Sequence, residues 1–148
     1  MHAPPKPDYP IFEPTQLSDY NAFLFGIPTR YGNLPAQWKT FWDATGQLWL
    51  TSALHGKFAG VFVSTGSLGG GLESTVLNTL TTLCHHGMIF VPLGYKHTFK
   101  DMMTLTEVHG EGPFGSGTLA VSGPMCASIP ALMFILGGRW SFTPTICP

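Results

Sequence analysis

The chain has 148 residues, enough for about one domain with a single core, and only 10% of them are charged. Its 7 basic and 8 acidic residues give a formal net charge of −1, so no positive field exists to attract phosphodiester backbones or anionic lipid. Nucleic acid and membrane surfaces are therefore excluded as expected partners.

Three continuously apolar runs predict the strands of the core. A proline-rich lead-in over residues 1–16 precedes them and predicts extended chain. The runs occupy residues 22–27, 58–63 and 88–93, and continuous apolar character is typical of strands buried on both faces. None of the apolar runs reaches the eighteen or so residues that a membrane span needs, so no span is predicted.

Two helices are predicted between these strands. The first opens near Asn33, has Pro35 in its first turn and ends near Trp49. The second covers about residues 72–86, with Gly87 where a C-terminal cap is expected. This alternation predicts an α/β fold with right-handed crossovers and a parallel sheet, in which ligands bind beyond the carboxyl ends of the strands.

A polar loop follows each of the first two predicted strands. The loops read Pro28-Thr-Arg-Tyr-Gly-Asn33 and Ser64-Thr-Gly-Ser-Leu-Gly-Gly-Gly71. The second lacks both the Lys-Ser/Thr of a P-loop and a GxGxxG pattern, which argues against a nucleoside triphosphate or a Rossmann dinucleotide. Its glycines could form only a flexible turn, but a position between a buried strand and a helix favours a ligand site. Together the loops suit a planar ligand such as a flavin ring.

Four ordered motifs resemble one protein family. They are Phe25-Gly-Ile-Pro-Thr-Arg-Tyr-Gly-Asn33, Phe41-Trp-Asp-Ala-Thr-Gly46 with Trp49, Val63-Ser-Thr-Gly-Ser-Leu-Gly-Gly-Gly71, and His85-His-Gly-Met-Ile-Phe-Val-Pro-Leu-Gly-Tyr95. Together they resemble the WrbA-type FMN-dependent NAD(P)H:quinone oxidoreductases, especially the fungal members that include minor allergens. The resemblance covers roughly residues 1–117 and implies a flavodoxin-like, three-layer α/β/α fold with a parallel sheet and FMN at its carboxyl edge.

The resemblance also implies what the matching residues do. Electrons would pass from NADH or NADPH to FMN and then to a quinone, so no catalytic nucleophile or acid/base dyad is expected. Trp49 would form a wall of the substrate pocket. Homodimers or homotetramers are implied, with neighbouring subunits closing the pocket. The implied cofactor-binding residues are Thr29, Arg30, Tyr31, Asn33, Ser64, Thr65, Gly66, Ser67, Leu68, Gly69 and His85.

Both ends of the chain depart from the family pattern. The first βαβ portion with its phosphate loop, and the closing helix, have no counterpart, which predicts a partial domain over residues 1–117 and a divergent tail over residues 118–148 without assigned structure. Loss of the central strand would leave the strand at residues 22–27 as an unpaired edge and would remove the main anchor of FMN. Two alternatives therefore stay open, a non-catalytic flavodoxin-like interaction protein and a non-functional truncated product.

Simpler roles compete with several of these assignments. Trp38, Phe41 and Trp42 are expected in the core, and His85 could be a helix-terminus histidine that interacts with the helix dipole. Metal binding is not predicted, because adjacent helical residues such as His85 and His86 point about 100° apart. The three cysteines are widely separated, which favours neither a zinc site nor a disulfide framework and indicates a reducing, cytoplasmic setting.

Overall fold

A parallel sheet of four strands organises the computed structural model, which describes residues 10–106, 108–110 and 112–120. The strands are β1 (Ala22–Pro28), β2 (Phe58–Thr65), β3 (Ile89–Phe90) and β4 (Ser116–Leu119). β1 pairs with β2 from Ala22 opposite Phe58 to Pro28 opposite Ser64, while β3 and β4 pair with the beginning and the end of β2 on its other side. β2 therefore touches every other strand, and β1 and β2 end together at one carboxyl edge.

Helices connect the strands as the sequence pattern predicts, with two corrections. They are a 3-10 helix (Pro14–Asp19), α1 (Ala36–Asp43), α2 (Gly46–Leu50), α3 (Leu72–His85) and α4 (Phe99–Met102). The prediction of α3 is confirmed, and Gly87 follows it with a φ of 68°, the left-handed conformation of a C-terminal cap. The proline-rich lead-in is not extended throughout, because the 3-10 helix begins at Pro14.

The prediction of a single helix from Asn33 to Trp49 is wrong. The helix is interrupted between α1 and α2, where the Thr45 hydroxyl donates a 2.6 Å hydrogen bond to the carbonyl of Trp42. A threonine that bonds to nearby backbone competes with helical hydrogen bonding, and Gly46 follows with the low helix propensity of glycine. The aromatic residues keep their predicted place, since Trp42 is buried and Trp38 and Phe41 pack against the core.

Burial alternates along β1 and β2, so the prediction that these strands are buried on both faces is wrong for the residues described. One face forms the core with α1 and α3, and its buried side chains include Ile27, Val61 and Val63. On the other face large apolar side chains are exposed to solvent. This bare face, as we call it, carries Leu24, Phe58, Phe62, Ile89 and Val91. A continuous apolar run reports composition and not which elements cover it.

The described residues stop short of the predicted tail. β4 continues to Leu119, past the predicted boundary at residue 117, and residues 121–148 lie outside the described part of the chain. The expectation that the tail lacks assigned structure thus stays a prediction. Within the described ranges, the helices are all too short or too polar to cross a membrane.

Candidate functional site

The two predicted polar loops meet at the carboxyl edge of the sheet. We call residues 29–33 and 64–71 the carboxyl-edge loops. The amide of Thr29 donates a 2.9 Å hydrogen bond to the carbonyl of Ser64, which continues the pairing of β1 with β2. At their far ends the loops touch, because a Cβ added to Gly71 would lie 2.6 Å from the Cα of Gly32. The prediction that parallel strand ends bring these loops together agrees with this geometry.

The first loop is a tight turn with an unusual backbone. Arg30 and Asn33 exchange backbone hydrogen bonds of 2.9 and 3.0 Å, and the two residues between them, Tyr31 and Gly32, have φ values of 55° and 73°. Positive φ at both central positions is the pattern of the primed hairpin turns. It is ordinary for glycine but costs a tyrosine about 1–2 kcal/mol. The Tyr31 ring is fully exposed, so packing of the ring does not offset this strain.

Buried hydroxyl groups fix the first loop to α3. Thr29 Oγ1 lies 2.6 Å from Thr75 Oγ1, and the Thr75 hydroxyl donates to the carbonyl of Gly71 at 2.7 Å, so Thr29 is the donor to Thr75. Asn78 Nδ2 donates to the carbonyl of Gly32 at 2.9 Å. Thr75 and Asn78 were not found from the sequence, where they resemble ordinary polar residues of a helix. The Thr29 side chain is thereby committed to holding the loop.

The remaining polar side chains of the first loop face solvent. Arg30 is exposed, and its Nη1 donates to the carbonyl of Thr29 at 2.9 Å. The side chain of Asn33 accepts a 2.8 Å hydrogen bond from the amide of Leu34. An exposed guanidinium that uses one of its five N–H groups keeps the others for a ligand with carbonyl or ring-nitrogen acceptors.

The second loop is open along its middle. Ser64 is partly buried and Thr65 is buried, but residues 66–69 are all exposed. A Cβ added to Gly66 or Gly69 would meet no atom within 4 Å, and Gly69 has a φ of 64°. A flat group could therefore approach the backbone of this loop closely, which is the usual reason for glycine at such places. The residues present fit the ring of a flavin in this respect.

A cavity of about 300 Å³ lies on the side of the second loop that faces residues 109–110 and 112–116. Gly69, Glu73, His109 and Phe114 are among the residues lining it. His109 Nε2 is buried and has no hydrogen-bond partner within the described ranges. The sequence motifs do not predict this cavity, because most of its lining lies outside the two polar loops.

Trp49 and His85 lie at the opposite end of the sheet. They share a cleft of about 370 Å³ with Ser52, His55, Cys84 and His86, which we call the amino-edge cleft. His85 ends α3 while the glycine-rich loop precedes it, so the 14 residues of this helix separate the two places by about 20 Å. The structure thus places the predicted residues in two groups, one at the carboxyl-edge loops and one at the amino-edge cleft. Within a single chain these two groups are too far apart to contact one small ligand.

The amino-edge cleft has its own unusual features. Ser52 has a φ of 54°, so both non-glycine residues with positive φ in the described part of the chain lie at the two candidate places. Burial, and secondarily the neighbouring His85, lower the pKa of His86 below its ordinary value, which favours a neutral ring. No group of three or more His, Cys, Asp or Glu side chains among the described residues is arranged to hold a metal ion.

The strain at Tyr31 leads to a testable prediction. At an ordinary exposed helix position, such as Thr81, glycine is less stable than alanine by about 0.5–1 kcal/mol. At position 31 we expect the reverse, with Tyr31→Gly more stable than Tyr31→Ala by about 1 kcal/mol, because only glycine is free of the positive-φ cost. Urea unfolding of Tyr31→Gly and Tyr31→Ala, and of Thr81→Gly and Thr81→Ala, measures the two differences in the free energy of unfolding. The same order at positions 31 and 81 would show that the turn is not strained.

Comparison with known proteins assigns the central part of the chain to a protein family. A family model described as NADPH-dependent FMN reductase matches residues 14–98. Protoplast secreted protein 2 of Saccharomyces cerevisiae is 64% identical over 118 residues, and NAD(P)H quinone oxidoreductase PST2 of Candida albicans is 62% identical over 120 residues. Minor allergen Alt a 7 of Alternaria alternata is 56% identical over 122 residues.

These relatives are longer than the chain. The matches cover 80–81% of this chain but 59–60% of the three relatives. Among solved structures, the WrbA-like flavodoxin of Agrobacterium tumefaciens superposes with a TM-score of 0.51 at 32% identity, over 55% of this chain and 52% of that protein. The fold of the described residues is therefore flavodoxin-like.

Proposed function

Because the chain belongs to the NADPH-dependent FMN reductase family, we propose that its carboxyl-edge loops bind the ring of FMN and that it transfers two electrons from NAD(P)H to quinones. The observation that carries this proposal is the junction of the two loops, with an exposed aromatic ring on a strained turn beside an open glycine backbone. Relatives named NAD(P)H quinone oxidoreductase support the reaction. The chain spans about three-fifths of the length of these relatives.

The proposed roles follow from the chemistry of each side chain. FMN, when bound, supplies the capacity to accept a hydride from NADH or NADPH and to reduce a quinone by two electrons. Tyr31 offers an aromatic face against which a flat ring can stack. Arg30 offers the unused N–H groups of its guanidinium to the polar edge of that ring. Asn33 and the backbone of residues 64–69 contribute further polar groups. These residues bind and orient, and none is assigned a covalent step.

The amino-edge cleft enters this proposal through a second copy of the chain. Trp49 is 54% exposed, and it lies with His85 about one length of α3 away from the carboxyl-edge loops. One chain cannot apply both groups to one small ligand, whereas two copies in a dimer or tetramer can. We therefore propose that a homo-oligomer completes the pocket, with Trp49 and His85 of one subunit over the loops of another.

The hydride donor and the cellular location are proposed from the names of similar proteins and from one thiol. The family description names NADPH, while relatives are named for NAD(P)H, so we propose that either nicotinamide can serve as donor. Cys84 carries a free, exposed thiol, which suits a reducing compartment. A cytoplasmic location is proposed for this reason.

Titration with FMN tests the proposal at its first requirement. We expect saturable quenching of flavin fluorescence by the protein, and at least about a tenfold weaker affinity in Arg30→Ala, equivalent to 1.4 kcal/mol. Lys39→Ala is the matched control, because Lys39 is an exposed cation on α1 that pairs with Asp43 away from the loops. Its affinity for FMN should equal that of the unmodified protein.

Each result of this titration leads to a different conclusion. Saturable binding together with NAD(P)H-dependent reduction of benzoquinone supports the proposed function. Saturable binding without turnover favours the alternative of a flavodoxin-like protein that binds flavin or partners without catalysis. Absence of binding in a sample that melts cooperatively would overturn the proposal, and absence of a cooperative melt would favour a non-functional product.

A further inference from the structure

Thr45 and His86 form a buried polar pair that the proposed function does not use. Thr45 is 1% exposed and His86 is 7% exposed. Thr45 Oγ1 lies 2.6 Å from the carbonyl oxygen of Trp42 and 2.9 Å from His86 Nε2. A hydroxyl has a single proton, and a carbonyl oxygen can only accept, so the Thr45 hydroxyl donates its hydrogen bond to the Trp42 carbonyl. His86 Nε2 must therefore carry a proton and donate it to Thr45.

The second ring nitrogen of His86 has the opposite character. Nδ1 is buried and has no hydrogen-bond partner among the described residues. A proton added there would place a charged, unpaired N–H group inside the protein, which is costly. The ring is therefore held as the neutral tautomer that is protonated on Nε2, and its orientation is fixed by a hydrogen bond of known direction.

The pair joins the two chain segments that build the amino-edge cleft. Thr45 is the residue before α2, and its carbonyl accepts a 3.0 Å hydrogen bond from the amide of Trp49, one turn later. His86 follows His85 directly at the end of α3. Thr45 and His86 are 41 residues apart in sequence, so this bond connects Trp49 and His85 across the fold.

We propose that the hydrogen bond between Thr45 and His86 is a positioning device, which holds Trp49 and His85 in one arrangement at the amino-edge cleft. Thr45 and His86 act through Trp49 and His85 and are not proposed to contact the ligand themselves. The role given to Trp49 and His85 rests on the proposed function. A buried hydrogen bond between neutral groups contributes little net stability, but its geometry specifies one packing of the segments that it joins. Apolar residues of similar size would fill the space without fixing the rotation of α2 against α3.

The tautomer of His86 gives a test in the unmodified protein. Nitrogen-15 NMR at neutral pH should show a pyrrole-type Nε2 and a pyridine-type Nδ1 for this residue. A ring protonated on Nδ1, or on both nitrogens, would overturn the proposal, because Thr45 could not then be held in the stated way. This measurement needs neither flavin nor turnover, so its failure is distinct from failure of the proposed function.

Two matched substitutions test the positioning itself. Thr45→Val removes the hydroxyl at nearly constant volume, whereas Thr45→Ser keeps it. We expect Thr45→Val to change the His86 nitrogen signals and to raise KM for the quinone by roughly two- to tenfold, the factor that one lost hydrogen bond represents. The affinity for FMN should fall by a smaller factor than KM rises, because the carboxyl-edge loops that hold the ring lie at the other end of α3 and meet the amino-edge cleft only across the proposed subunit boundary. Thr45→Ser should behave as the unmodified protein.

The pattern of effects decides between positioning and general stability. If Thr45→Val weakens FMN binding as much as it raises KM, the pair supports the fold alone and the proposal is wrong. The same conclusion follows if Thr45→Val leaves the His86 signals and KM unchanged. Should quinone reduction be undetectable in every variant, acrylamide quenching of tryptophan fluorescence replaces KM, and identical quenching in the Val and Ser variants would contradict the positioning role.

Discussion

Replacing Gly71 with alanine is expected to separate the carboxyl-edge loops and to abolish detectable binding of FMN. Gly71 has a φ of 98°, and an added Cβ would lie 2.6 Å from the Cα of Gly32 and 3.0 Å from Ser74 Oγ. The backbone conformation costs about 1–2 kcal/mol for a residue with a side chain, and overpacking adds about 1–3 kcal/mol. The contact with Gly32 involves backbone, so rotation of a side chain offers no relief. Urea unfolding and flavin titration measure the two consequences.

Two further glycines separate these effects. Gly56→Ala carries the positive-φ cost without a clash, since Gly56 has a φ of 74° and open space around it, and it lies away from the loops. Gly66→Ala carries neither cost. Stability should therefore fall in the order Gly66→Ala, Gly56→Ala, Gly71→Ala, and Gly56→Ala should keep its affinity for FMN. Equal stability of Gly56→Ala and Gly71→Ala would mean that the loops do not meet as described.

Mixing two impaired variants is expected to restore quinone reduction if subunits complete the pocket for each other. Trp49→Ala damages the amino-edge cleft, and truncation of a tryptophan at a binding hot spot costs about 2 kcal/mol or more, near 30-fold. Arg30→Ala damages the carboxyl-edge loops. A mixed oligomer contains a pocket made from the intact loops of the first variant and the intact cleft of the second. Activity of the co-expressed mixture should therefore exceed that of either variant alone.

The matched control is a mixture that has no intact cleft. Trp49→Ala combined with the double variant Trp49→Ala/Arg30→Ala also forms mixed oligomers, but every cleft in them lacks the tryptophan. This mixture should gain no activity. Restoration in both mixtures would point to an effect other than shared pockets. A protein that is monomeric by light scattering and still active would contradict the proposal that a second copy supplies Trp49.

The parts of the fold that the sequence predicts are those with local causes. α3 has an apolar stripe and ends beside Gly87, so both its face and its end follow from residues within a few positions. β1 and β2 follow from their apolar runs, and the meeting of their loops follows from the rule that parallel strands end at one edge. The break between α1 and α2 was missed because aromatic spacing continues through the turn and hides the local effect of Thr45 and Gly46, and because the contact of Thr45 with His86 spans 41 residues.

The candidate site was predictable in composition and not in arrangement. Sequence motifs select Arg30 and Tyr31 as ligand residues, but the positive φ of Tyr31 depends on a turn that closes through backbone bonds. A resemblance assigns Trp49 and His85 to one ligand with the loops, without saying which copy of the chain supplies them. Only the length and direction of α3 show that Trp49 and His85 lie together at the end of the sheet opposite the carboxyl-edge loops.

The pairing of β1 with β2 has a consequence for the newly made chain. Ala22 pairs with Phe58, so the first strand leaves the ribosome 36 residues before its partner. At about 5–20 residues per second, that gap corresponds to roughly 2–7 s of synthesis. During this time β1 cannot pair with β2, whereas the aromatic residues of α1 that pack on Phe25 have already been made. Folding during translation would then allow β1 to pack on α1 first, and the pairing of β1 with β2 would be complete only after Ser64 has emerged.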